Sequence, residues 1–109
     1  MLQIKPGVKL IGLGPQILLA INIAHSLWHK KWPRVPLTIT CATDGKHGTG
    51  SRHFFGNAVD IRTRDLPGGS KGESAKDARN ELQAALSGEF DVVYESTHIH
   101  IEWDPKHGS

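Results

Sequence analysis

Apolar positions recur along this chain with two different periods. After Pro15, the residues Ile17, Ile21, Ala24 and Trp28 fall at steps of four, three and four. That spacing makes one apolar face and predicts a helix ending before Pro33. Proline suits the first helical position, because the N–H it lacks would have no partner there. Leu37, Ile39 and Cys41 then alternate with threonines, the period-two pattern of a half-buried strand with Cys41 on its apolar side as a core residue. A further strand covers 58–63, with Val59 and Ile61 directed one way and Ala58, Asp60 and Arg62 the other. A second helix is predicted over about 74–87, with Ala75, Ala78, Leu82 and Ala85 or Leu86 as its inner stripe and Gly88 as its cap. Strands over 90–95 and 98–103 meet at a Ser96-Thr97 turn. Residues 1–12 read as a lead-in or short strand turning at Pro6-Gly7, 67–72 as a mobile glycine-rich loop, and the tail from Asp104 as frayed.

The two strand patterns point to one geometry. Ile99 and Ile101 face a core while His98, His100 and Glu102 face away; Val59 and Ile61 face the same core while Asp60 faces away. A single small α+β domain spanning 1–109 satisfies both. Its sheet is mostly antiparallel, helices pack on one face, and a polar cluster occupies the other.

Composition narrows the class. The chain of 109 residues carries 13 basic and 11 acidic side chains, for a net charge of +2. That excess is too small for a nucleic-acid footprint. One cysteine allows no internal disulfide. The N-terminal residues contain no apolar run of the signal-peptide type, and the apolar stretch from Ile17 to Ala24 is too short to cross a bilayer. A monomer without membrane insertion is expected. It would be cytoplasmic as made, and something else would have to carry it to any substrate outside a cell.

The chemistry-bearing residues fall in two segments. Ser51 to Asp60 supplies His53 and Asp60; Glu95-Ser-Thr-His98-Ile-His100 supplies two imidazoles and a carboxylate. A catalytic zinc takes three protein ligands and leaves one position open, and His53, Asp60 and His100 can supply the three. Glu95 is then placed to exchange a proton with water and leaving amine. His47 and His98 remain as donors to an oxyanion. Neither a lone His-x-His nor a lone His-x6-Asp is specific; their combination with two polar strand faces is. Other features read more plainly. His25 and His29, at i, i+4 on the first helix, lack a carboxylate or third ligand and read as surface or boundary histidines. The glycine-rich 43–50 segment lacks the spacing of a phosphate loop. A fourth ligand at Cys41 is the lesser reading beside core packing.

The pattern Ser51-x-His53-x-x-Gly56-x-Ala58-x-Asp60, followed by Glu95 and His98-x-His100, resembles the signature of the M15 family of zinc D-Ala-D-Ala peptidases. That superfamily includes D,D-carboxypeptidases, phage endolysins and the hedgehog signalling domain. The resemblance covers residues 41–103, and Asp91-Val-Val-Tyr-Glu-Ser-Thr-His-Ile-His is most similar to the hedgehog end. It implies zinc on His53 and Asp60. In members with His-x-His it implies His100 as third ligand, with His98 beside the metal and His47 lining the site. Members with Glu-x-x-His use the last histidine, which would put zinc on His98; strand alternation cannot separate the two, and the continuation Ile101-Glu102 favours His100. The arginine that polarises substrate in the superfamily's D,D-dipeptidases has no clear counterpart before the glycine loop. Neither does the acidic calcium cluster of hedgehog, so calcium is not expected. The resemblance implies a zinc peptidase acting on peptidoglycan stem peptides as a D-Ala-D-Ala carboxypeptidase, an endopeptidase or a phage lysin. The alternative it leaves is a non-catalytic hedgehog-like zinc-binding domain with a structural or binding role.

Overall fold

The computed structural model describes residues 1–42, 57–86 and 88–104. Its elements run β1 (Leu2–Ile4), α1 (Pro15–Lys31), β2 (Leu37–Cys41), β3 (Ala58–Arg62), a short 3-10 turn (Gly69–Lys71), α2 (Glu73–Ala85), β4 (Phe90–Tyr94) and β5 (His98–Trp103). The strands form a five-stranded sheet in the order β1-β2-β3-β5-β4. Among the described strands only β1 and β2 pair in parallel; the other neighbours are antiparallel. The fold is α+β, as the two periodicities predict. Among the described residues no helix is long and apolar enough to cross a membrane.

One apolar core joins both helices to the sheet. From α1 it takes Ile17, Ala20, Ile21, Ala24 and Trp28, from α2 Ala75, Ala78 and Leu82, and from the strands Leu37, Ile39, Val59, Ile61, Val92, Ile99 and Ile101. The helices therefore share one face of the sheet. Trp28 is fully buried and meets Trp32 edge to face, with ring centroids 5.3 Å apart. Trp32 and Trp103 pack against the core margin. Burial of side chains this large supplies most of the driving force, about 1.5–3 kcal/mol each before entropy is charged against it.

Helix α2 also closes an edge of the sheet. Arg79 Nε donates to Val92 O at 2.8 Å and Gln83 Nε2 to Phe90 O at 2.9 Å, while Val92 N donates to Gln83 Oε1 at 3.2 Å. The outer backbone groups of β4, which would otherwise invite another strand, are thereby satisfied.

Four local expectations are corrected. A register irregularity between Ile39 and Cys41 turns Cys41 to stand opposite Asp60, so the cysteine is half-buried on the polar side and not in the core. Helix α2 stops at Ala85; its cap is Leu86, extended and buried, rather than Gly88. Ala85 itself is exposed, leaving Leu86 to complete the inner stripe. The 67–72 loop is pinned rather than loose. Thr63 Oγ1 and Ser70 Oγ are 2.7 Å apart, and the Tyr94 hydroxyl donates to Ser70 O. Gly68 and Gly69 have φ near +83° and +73°, and a Cβ on Gly72 would lie 2.9 Å from Gly68 backbone atoms. Only glycine fits there.

Candidate functional site

Register builds the site. In the β3–β5 pair Asp60 stands opposite His100 and Arg62 opposite His98, while Ile61 stands opposite Ile99. Successive side chains alternate faces, so the isoleucines enter the core and the polar residues gather on the sheet face away from the helices. On β4, Val93 stands opposite His100 and Asp91 opposite Glu102. The tight β4–β5 connection, closed by Glu95 N donating to His98 O at 2.9 Å, brings Glu95 beside these strands.

The contacts form a chain. His100 Nδ1 lies 2.8 Å from Asp60 Oδ1, and His100 Nε2 lies 3.1 Å from Glu102 Oε1. His98 Nε2 lies 2.8 Å from Glu95 Oε2 and 3.6 Å from Asp60 Oδ2. Thr97 Oγ1 is 3.0 Å from His98 Nδ1. If the threonine hydroxyl donates to Nδ1, the Nε2–H of a neutral His98 points at Glu95. Asp60 thus sits between two imidazoles, and each imidazole also reaches a second carboxylate. Burial works against a charge on His100, but the hydrogen bonds and charges of Asp60 and Glu102 outweigh it and raise its pKa to about 9.

This arrangement suits a metal in one specific respect. Imidazole nitrogen and carboxylate oxygen are zinc donors, and a ligating histidine usually turns its other nitrogen to a carboxylate that orients it. His100 has that layout: Nδ1 faces Asp60 while Nε2 is held by Glu102. Among the described residues, Glu102 also belongs to a trio of acids, in which Asp91, Glu102 and Asp104 place carboxylate oxygens within 4.8 Å of one another. That trio offers oxygen alone, without nitrogen or sulfur, and its carboxylates are only half-buried. It was not visible in the linear sequence, because it needs the β4–β5 register and the residue after β5.

A groove of about 430 Å³ opens beside His98, lined in part by Thr40, Cys41, Asp60, Ser70 and His98 itself. The structure therefore brings together Asp60, Glu95, His98 and His100 from the sequence-predicted set. His47 and His53 lie outside the described residues. Of the sequence-predicted helical histidines, His25 is half-buried and His29 exposed, both on α1. Two participants had no assigned role. Glu102 shared the polar face in the alternation, which was the available signal. The groove wall is assembled from five separate segments and left no local signature.

A family model of the hedgehog amino-terminal signalling domain matches residues 16–102. The match runs from the start of α1 through β5 and takes in well over half of the 109 residues, including the strands that carry Asp60, His98 and His100. On that match, the chain belongs to the hedgehog amino-terminal signalling domain family.

Proposed function

We propose that this domain is a zinc-dependent peptidase of the M15 kind, hydrolysing amide bonds in peptidoglycan stem peptides as a D-Ala-D-Ala carboxypeptidase or endopeptidase. The observation that carries the reading is the pairing of two arrangements on one sheet face. Asp60 and His100 meet at 2.8 Å with Glu102 behind the imidazole, and Glu95 and His98 meet at 2.8 Å beside them. A purely structural zinc site is usually closed by four Cys or His ligands. Here the described donors mix carboxylate and imidazole and adjoin an open groove.

Asp60 and His100 would hold the ion, with His53 as the third ligand. Zinc in such a site supplies Lewis acidity and a water that ionises near pH 7. The protein's own groups do the rest. Glu95 is nearly half exposed, at 48%, and can accept a proton from water at Oε2. As the C–N bond breaks, the same carboxylate returns that proton to the leaving amine. His98, kept as an Nε2–H donor by the Thr97 hydroxyl, can turn from Glu95 toward the oxyanion that develops on the carbonyl. Glu102 fixes the imidazole of His100 throughout.

A second reading is a zinc-stabilised, non-catalytic domain. Membership of a signalling-domain family favours it. Digestion of purified peptidoglycan separates the two. Wild type is expected to release peptide fragments whose masses identify the bond, and Glu95→Gln to release fewer by at least about a hundredfold while keeping its zinc. Equal inactivity of both proteins toward every wall substrate would support the non-catalytic reading.

A further inference from the structure

We infer that Arg62, Arg64 and Lys5 form a receptor for the free C-terminal carboxylate of a peptide, directing the site to chain ends. The inference rests on the hydrolase reading above and narrows its substrate class.

All three cations line the same groove as Asp60 and His98. They come from separate places in the chain. Lys5 follows β1 and is held where its backbone N–H donates to Ile39 O at 2.9 Å. Arg62 ends β3, directly opposite His98 in the register. Arg64 lies two residues on, before the pinned 3-10 turn that contributes Ser70 to the wall.

Among the described residues none of the three makes a side-chain ion pair or hydrogen bond. The nearby acids are occupied with histidines instead: both Asp60 oxygens face imidazoles, and Glu95 faces His98. Three unneutralised cations in one concavity produce a positive potential that concentrates anions there. An arginine fork fits a carboxylate with two parallel hydrogen bonds. Thr40, Ser70 and Thr97 add hydroxyl-bearing side chains to the same groove.

Position selects the kind of anion. Arg62 and Asp60 are two apart on one strand face, a separation of about 7 Å. A terminal carboxylate lies one residue, about 3.8 Å, from the preceding amide. A peptide end bound at Arg62 therefore presents its last amide toward Asp60 and His98. An amide deep within a polymer offers no charge at that distance.

The test compares an acetylated peptide ending in D-Ala-D-Ala as the free acid with the same peptide as its C-terminal amide. Binding to the zinc-loaded protein is followed by calorimetry and cleavage by mass spectrometry, with inorganic phosphate as competitor. The acid is expected to bind about tenfold or more tightly than the amide. The preference should fall to near unity in Arg62→Gln/Arg64→Gln and recover in part in Arg62→Lys. Circular dichroism confirms that each variant is folded. Equal binding of acid and amide, a preference that survives the double substitution, no binding of either peptide, or phosphate binding more tightly than the acid would each overturn the inference. Binding preference without cleavage would uphold the receptor while removing the hydrolase reading. Equal cleavage of acid and amide would do the reverse.

Discussion

On β5, Ile99 and Ile101 are fully buried, while His98 and His100, one step along the same strand, hold ionisable groups against Asp60, Glu95 and Glu102. β3 repeats the contrast: Val59 and Ile61 are fully buried beside Asp60, which stays in reach of two imidazoles. The backbone ladder is common to both faces, so the difference lies in what stands across from each. Apolar side chains meet two helices and supply stability. Titratable side chains meet one another and a groove, and the carboxylates beside His100 raise its pKa. A fold with its stability concentrated on one face can leave the other free to carry chemistry.

The largest effect should come from reversing the faces. Ile99→Asp would bury a carboxylate with no partner and is expected to cost more than about 4 kcal/mol, enough to unfold a domain of this size. His98→Gln, one residue away on the polar face, should change metal-free stability by less than about 1 kcal/mol. Urea denaturation of both variants checks the contrast; similar losses would erase it.

A smaller effect comes from pH on the polar face. The folded-state pKa of His100 is raised from 6.5 to about 9. Its contribution to stability is therefore fully present below pH 6.5 and is lost as pH rises through about 9. Metal-free protein should lose on the order of 1–3 kcal/mol between those values, and His100→Gln should flatten that part of the profile. In the proposed site zinc would have to displace the same proton, so its affinity should rise with pH over the same interval. The smallest effect belongs to the edge clamp. Gln83→Ala removes two hydrogen bonds to β4 and should cost about 1 kcal/mol. Hydrogen exchange should quicken at Val92 while Ile99 and Ile101 stay protected.

Much of this contrast was legible in the sequence because it depends on strand period alone. Leu37–Cys41 and His98–Trp103 appear as strands with the predicted limits, and the split between Ile99/Ile101 and His98/His100 follows from alternation. Where the period breaks, the reading fails. Cys41 changes sides because the β2–β3 register shifts between Ile39 and Cys41, and nothing local announces that shift. Leu86 replaces Gly88 as the helix end because an apolar cap was buried in preference to continuing the helix. The parallel pairing of β1 with β2 and the gathering of Lys5, Arg62 and Arg64 in one groove are products of contacts distant in sequence.

The proposed zinc site rests on Asp60 and His100. Metal content after reconstitution tests it most directly, measured on wild type, Asp60→Asn and His100→Gln, with circular dichroism to show each is folded. The account predicts one zinc per wild-type chain and at least about a tenfold weaker hold in either variant. No zinc in wild type, or undiminished zinc in both variants, would contradict it.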